Sequence, residues 1–261
     1  MRALVKYPRT PHLEGSRLQV GDHDLQRIPF RDLEGRFVVV EEKVDGANAA
    51  LRFNSAGEVF LQSRGHYLRG GAREKHFNLF KRWAKAKASA FWPVLRDRYV
   101  VYGEWLYAKH TVYYDKLPHF FLEFDVLDLE TKQFLGTHAR RRLLNGLPLA
   151  SVPVLHHGKA RSIQEITSLL GRSHYKGEDW REQMVNQVKS NGLNAEIAIR
   201  ETDPSDDMEG LYIKVEEEDR VICRVKFVRA SFLTCVADSG THWLRRPIIP
   251  NRLAEGTDIW L

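Results

Sequence analysis

Val38-Val39-Val40-Glu41-Glu42-Lys43-Val44-Asp45-Gly46-Ala47-Asn48 runs from β-branched apolar residues into dense charge within a few positions. Val38 to Val40 reads as a buried strand. The strand ends on two acids, a lysine, a third acid and a glycine. A lysine just past a buried strand and before a glycine turn is held at the lip of a sheet. Neighbouring carboxylates favour its ammonium form and raise its pKa. A surface lysine needs no such setting, whereas a nucleophilic one needs a fixed position, a partner and a route for its proton. Lys43 is the candidate nucleophile. For this stretch alone, a strand end with a turn is the plainer alternative, so the rest of the chain decides.

Ala49 to Phe53 and Val59 to Gln62 alternate around Asn54-Ser55-Ala56-Gly57, a hairpin pattern. The second strand runs into Ser63-Arg64-Gly65-His66. Arg64 at a strand end can fork onto a phosphate; a salt-bridged surface arginine is the alternative. Glu74 to Ala90 predicts one helix with Phe77, Phe80, Trp83 and Ala84 as its core stripe. Tyr99 to Trp105, closing on Gly103-Glu104, and Phe120 to Asp128 predict central strands. Lys109 to Asp115 is the loop between them. Thr137–Asn145, Ser162–Gly171 and Glu178–Ser190 predict packing helices, the second opened by the capping box Ser162-Ile163-Gln164-Glu165.

Met208 to Lys214 predicts a strand with Glu209 at its start. In Val221 to Val228, Arg224 and Lys226 alternate onto one face. Two cations so placed repel, and an anion between them relieves the repulsion; a charged face turned to solvent is the alternative. Residues 1–35 read as an irregular N-terminal arm in which Arg9, His12, Ser16 and Arg17 are phosphate candidates. Residues 232–261 read as a short C-terminal extension of a single domain spanning 1–261.

The length of 261 residues supports a sizeable core, and 43% hydrophobic residues is ordinary for a globular protein. No run approaches the length of a membrane span, and the N-terminus lacks a signal-peptide core, so a cytoplasmic setting is expected. Cys223 and Cys235 sit in apolar surroundings and read as small core residues. A net charge of +6 permits a polyanionic partner. Arg140-Arg141-Arg142 and the Lys81, Arg82, Lys85, Lys87 group concentrate that charge; the latter face is either solvated or turned to nucleic acid. No phosphate loop of the P-loop type and no zinc pattern is present in the sequence.

In order, the chain carries Lys43-Val44-Asp45-Gly46, Ser63-Arg64-Gly65, Gly103-Glu104, Phe124-Asp125, Glu209-Gly210-Leu211-Tyr212-Ile213-Lys214 and Arg224-Val225-Lys226. This series resembles ATP-dependent RNA ligases of the T4 RNA ligase 2 type, one branch of the covalent nucleotidyltransferases. Each motif is weak alone; their order is not. The resemblance runs from about Glu41 to Lys226, and Asn48 fits the RNA-ligase branch. It implies an α+β nucleotidyltransferase (ATP-grasp-like) domain of two packed antiparallel β-sheets with flanking helices and an ATP cleft between them.

The implied cofactors are ATP and Mg²⁺ or Mn²⁺. Lys43 takes AMP, passes it to an RNA 5′-phosphate, and a 3′-hydroxyl then attacks to seal the strand in RNA repair. Lys226 and Arg224 hold the α-phosphate, and Arg64 the ribose–phosphate region or the RNA end. Glu104 and Glu209 position ribose or bind the metal, and Phe124 stacks on adenine. Glu41 or Glu42 reads the adenine edge; the sequence leaves that choice open. Asp45, Asn48 and Lys214 complete the nucleotide motifs, and Gly46 admits a close approach to the nucleotide. Cations Lys226, Lys214 and Arg64, with the metal, are expected to lower the pKa of Lys43 against its acidic neighbours.

Two departures qualify this reading. Arg224 stands where the family more often has lysine. Only residues 227–261 follow Lys226, so a catalytic domain without an OB-fold is expected, working with a partner such as an RNA-end-healing kinase or phosphatase. A DNA ligase, a GTP-dependent capping-type nucleotidyltransferase and an inactive RNA-end-binding subunit are the alternatives. The presence of Lys43, Glu209 and Lys226 together argues against the last.

Overall fold

A computed structural model describes residues 4–18, 22, 25–238 and 246–261. Two six-stranded sheets face each other. The first has the order β10 (Val154–Lys159), β3 (Phe37–Lys43), β11 (Gly210–Glu217), β12 (Arg220–Val228), β1 (His12–Leu13) and β2 (Arg27–Ile28). The second has the order β5 (Val59–Ser63), β4 (Ala47–Phe53), β6 (Tyr99–Trp105), β7 (Phe121–Asp128) and β8 (Gln133–Phe134), with β9 (Ala150–Ser151) beside β7. This is the α+β, two-sheet architecture expected from the sequence. The pairing is antiparallel except where the short strands β1 and β9 join, since β1 runs parallel to β12 and β2, and β9 to β7.

Strand alternation sorts apolar from charged residues. On the outer face of the first sheet, Val38, Val40, Leu211, Ile213 and Val225 form a core with Leu13 and Ile166. On the outer face of the second, Ala49, Leu51, Trp105 and Phe121 pack against Phe80, Trp83 and Phe91. Each large side chain so buried contributes roughly 1.5–3 kcal/mol. The inner faces carry the charge. Hydrophobic burial outside therefore supports a polar cleft inside.

The helices are α1 (Asn78–Ala86), α2 (Ala88–Leu95), α3 (Thr137–Leu144), α4 (Ile163–Thr167), α5 (Trp180–Ser190), α6 (Ala195–Arg200) and α7 (Ala230–Asp238). The single helix expected over Glu74–Ala90 is three pieces: a 3₁₀ turn (Ala72–Phe77), α1 and α2. Lys87, at φ −94° and ψ 2°, leaves helical geometry, and α2 starts in a new direction that buries Phe91 and Leu95. The Ser162 cap is present, its Oγ accepting from the Glu165 amide at 3.0 Å, but α4 ends at Thr167 rather than near Gly171. At the hairpin, Asn54 Oδ1 accepts from the amides of Ala56 and Glu58, and Gly57 takes φ +78°.

The N-terminal arm is more ordered than its composition implies. It supplies β1 and β2, and buries Tyr7 between the sheets. Of the C-terminal stretch His242–Pro250, residues 242–245, including Arg245, lie outside those described. Beyond it Asn251 stitches the chain to the β6–β7 loop, donating to Leu106 O at 2.7 Å and accepting from Tyr114 N at 2.9 Å. Arg246 is turned inward, onto His110 O and Glu201. Cys223 and Cys235 are both half-buried and are not joined in a disulfide. Among the described residues no helix is long and apolar enough to cross a membrane.

Candidate active site

Lys43 is the last residue of β3 and lies opposite Gly210 on β11. That register brings Glu209 beside it, with Lys43 Nζ 2.7 Å from Glu209 Oε1. The Lys43 side chain is 24% exposed, Glu209 only 2%. Across the cleft, Glu104 on β6 sits opposite Asn48 on β4. Gly46 has a packing role here. A Cβ at Gly46 would lie 2.9 Å from Glu104 Cγ and 2.6 Å from Leu106 Cδ2, so the missing side chain lets the β3–β4 turn close on β6. Asp45 faces the β6–β7 loop. Its Oδ2 accepts from the amides of Thr111 (2.7 Å) and Val112 (2.8 Å), and its own amide donates to the Tyr114 hydroxyl. It fixes the loop beneath the turn.

Three carboxylates thus crowd one ammonium. Burial works against the charge on Lys43, but Glu209, Glu104 and Asp45 outweigh it and hold its pKa above the ordinary lysine value. The cations work against these carboxylates: Lys226 and Lys43 disfavour each other's charge, while Lys214 is paired within the cluster between the sheets. Burial pushes the Glu104 carboxyl up to about 8 and that of Glu209 up to about 7, with Lys43 only partly offsetting the shift.

Glu41 and Glu42 part company by alternation. Glu41 shares the inner face with Lys43. Glu42 faces outward, accepting from Ser173 Oγ at 2.5 Å and pairing with His174 Nδ1 at 2.8 Å. The side chain of Glu42 therefore points away from the cleft that an adenine would enter. Glu41 belongs to a buried ionic cluster that joins the sheets. Arg140 from α3 reaches Glu41 (2.6 Å) and Glu123 (3.5 Å). Lys214 reaches Glu41 (2.8 Å) and Asp125 (3.2 Å), and donates to Phe124 O. Arg224 Nε meets Asp125 Oδ2 at 2.8 Å, its guanidinium 3.9 Å from the Phe134 ring centroid. Tyr7 from the arm donates to the same carboxylate at 2.5 Å. Despite burial, the cations hold the Asp125 carboxyl below its usual range.

Arg224 and Lys226 do share a face, and each has its own carboxylate. Lys226 Nζ lies 2.5 Å from Asp22 Oδ2, which also meets His12 Nε2 at 3.1 Å. Burial and the nearby Lys43 lower the Lys226 pKa, with Asp22 opposing. Of the arm's phosphate candidates, His12 is fully buried on Ser16 and Asp22, and Arg9 pairs with Asp22. Arg64 is exposed after β5, and its charge reaches Glu104. Phe124 and Tyr212 face each other from opposite sheets, with ring centroids 6.1 Å apart and planes tilted by 41°. Tyr212 is held through its hydroxyl by Tyr7 (2.6 Å) and Thr10 (2.9 Å).

The sequence reading missed Arg140, Tyr7, Tyr212 and Asp22. Arg140 was submerged in the run Arg140-Arg141-Arg142, of which Arg141 and Arg142 are exposed and Arg140 alone is wholly buried.

A divalent cation fits the acidic corner. Glu209 Oε2 is buried with no hydrogen-bond partner among the described residues, and Glu104 adds a second carboxylate. Among the described residues no three His, Cys, Asp or Glu side chains could hold a metal by themselves. Mg²⁺ commonly takes one or two carboxylates and fills its shell from water and substrate phosphates.

Two facing sheets with a lysine at a strand end and acids around it define the nucleotidyltransferase fold of RNA ligases. The family model for RNA ligase matches residues 36–228, and the chain belongs to that family. Structures of variants of Naegleria gruberi RNA ligase share the fold. One with ATP and manganese has a TM-score of 0.51 at 17% identity, covering 78% of this chain and 53% of that one. Another with ATP and manganese has a TM-score of 0.53 at 16% identity, and one with AMP and manganese 0.52 at 17%; each covers 80% of this chain and 54% of that one. The chain thus spans about half the length of the Naegleria enzyme. No curated protein matches the sequence significantly.

Proposed function

We propose that the protein is an ATP-dependent RNA ligase acting through a lysyl-AMP intermediate on Lys43. The observation that carries this reading is Lys43 at the strand end, 2.7 Å from buried Glu209, with Glu104 opposite. Lys43 Nζ attacks the α-phosphorus of ATP, the bond to the β-phosphate oxygen breaks, and pyrophosphate leaves. The Nζ proton faces Glu209 Oε1, the acceptor the geometry offers. AMP then passes to an RNA 5′-phosphate, and a 3′-hydroxyl displaces it to seal the strand. Such transfers rely on positioning and charge neutralisation more than on acid–base groups.

Phe124 and Tyr212 are the jaws for adenine, opening slightly to admit the flat base. Glu209 and Glu104 would hold Mg²⁺ or Mn²⁺, which when bound supplies positive charge for the phosphates. Lys226 contacts the α-phosphate once Asp22 gives way to that stronger anion. Arg64 guides the ribose–phosphate region or the RNA end. Lys214, Arg224 and Glu41 position the pocket through their ion pairs, and Asn48 braces Glu104 from the adjacent strand. The relatives with ATP or AMP and manganese support this cofactor set. Sealing in RNA repair, in the cytoplasm and beside an end-healing kinase or phosphatase, is the setting we infer.

Lys226→Ala is expected to reduce protein–AMP formation nearly as far as loss of Lys43, by at least about a hundredfold, the scale of removing one transition-state contact. Single-turnover labelling with ATP measures it, and a wild-type rate in the variant contradicts the role. The pH profile gives a second check. Only neutral Lys43 attacks, its pKa is raised, and the carboxyls of Glu104 and Glu209 ionise only as pH passes about 8 and 7. Ionised carboxylates can take the Nζ proton and hold the metal, yet they also favour the ammonium, so the deprotonation of Lys43 sets the rise. Adenylylation should climb about tenfold per pH unit from neutral pH upward, and a rate that is flat or falling over that range refutes the assignment.

A further inference from the structure

We infer that the groove between the outer edge of β5, the turn after it and α1 seats a single-stranded segment of the RNA flanking the junction. This rests on the ligase reading above. The cavity, ≈ 280 Å³, is separate from the Lys43 cleft and is lined by Phe60, Tyr67, Arg69, Lys81 and Lys85 together with aliphatic side chains of β5 and its turn. No acidic side chain is among the lining residues.

Its wall is built. The chain folds back after Ser63, with the Leu68 amide donating to Leu61 O at 2.8 Å and the Ser63 amide to His66 O at 2.9 Å. Buried Glu74 then pins the turn, accepting from the amides of Arg69 (3.1 Å) and Gly70 (2.7 Å) and pairing with Lys81 (3.1 Å). Tyr67 meets Phe60 edge-on, ring centroids 5.9 Å apart. The guanidiniums of Arg52 and Arg69 stand 5.7 and 5.9 Å from the Tyr67 ring centroid. An aromatic platform edged by cations suits an unstacked base and the phosphates on either side of it, a combination that binds single strands without sequence preference.

Continuity with the cleft fixes the occupant. Arg64, whose charge reaches Glu104, is three residues before Tyr67, at most about 11 Å of extended chain. A strand whose end lies at the cleft can follow the basic turn into the groove. The lysine face of α1 is then its floor.

The test measures binding of a fluorescent, 5′-phosphorylated single-stranded RNA by anisotropy over a range of salt, with labelling by ATP run in parallel. Arg69→Ala/Lys85→Ala removes two exposed cations outside the ATP cleft. It is expected to weaken RNA binding at least tenfold and to flatten the salt slope by about 1.4, the value for two phosphate contacts on a single strand. Label transfer from ATP to Lys43 should stay at the wild-type rate. Tyr67→Leu should weaken binding about tenfold with the slope unchanged. Equal affinity and slope in the double variant, or no RNA binding by the wild-type protein, overturns the proposal; an unlabelled wild-type protein would overturn the ligase reading instead.

Discussion

Lys43→Ala is expected to abolish covalent capture of AMP entirely while leaving the fold intact. The residue ends a strand, is partly exposed, and packs against no core, so truncating it removes the nucleophile and one ion pair. Loss of that ammonium leaves Glu209 and Glu104 buried together without their cation. Their carboxyls then ionise less readily, and any metal held there must do more of the neutralising. The variant should keep its thermal unfolding transition and its affinity for RNA. A covalent adduct persisting in it would mean that another residue is the nucleophile.

Arg140→Ala is expected to have the largest effect on stability. The guanidinium is wholly buried and bridges Glu41 on the first sheet to Glu123 on the second. Removing it leaves buried Glu123 without its cation and Glu41 with Lys214 alone, and breaking a buried pair typically costs about 3–5 kcal/mol. In a chain of this size that corresponds to a fall in Tm of roughly 6–20 °C. Arg140→Met retains volume but not charge, so most of the loss should remain. Calorimetry on both variants distinguishes the ionic role from simple packing: a wild-type Tm for Arg140→Met would show that the pairs contribute little. Because Glu41 sits two residues from Lys43 on the same strand face, adenylylation should also slow well below the temperature at which the variant unfolds.

How much of this was legible in the sequence depended on whether the signal is local. The strand Val38–Val40, the turn after Lys43 and the hairpin at Asn54–Gly57 are set by neighbours in the chain, and all three can be read directly. Alternation placed Arg224 and Lys226 on one face correctly. It could not supply their partners, because Asp125 is 99 residues from Arg224 and Asp22 is 204 from Lys226. Arg140 was invisible on the same grounds: nothing in Arg140-Arg141-Arg142 marks the one arginine that helix α3 turns inward. The acids around Lys43 were legible in part, but only the fold shows that Glu209, Glu104 and Asp45 converge on it and outweigh the side-chain cations. Gly46 was legible as special, and the approach of β6 to it is a further demand that only the meeting of two strands reveals.

The inner faces explain why so polar a cleft persists. Both outer faces carry large apolar cores, so the sheets are held by their backs. Between them Tyr7, Ala50, Val100, Tyr102 and Leu127 form a small apolar cluster, and beside it the cleft is kept by paired charges. Tyr7 and Thr10 add a hydroxyl network onto Tyr212, tying the N-terminal arm to the proposed adenine jaws.

Label transfer tests the central claim most directly. Wild-type protein is incubated with α-labelled ATP, or with α-labelled GTP, and Mg²⁺ or Mn²⁺, then denatured, digested and mapped. The account predicts a covalent label from ATP alone, carried by the peptide containing Lys43. A label from GTP, a label on another residue, or no adduct with either nucleotide would contradict it.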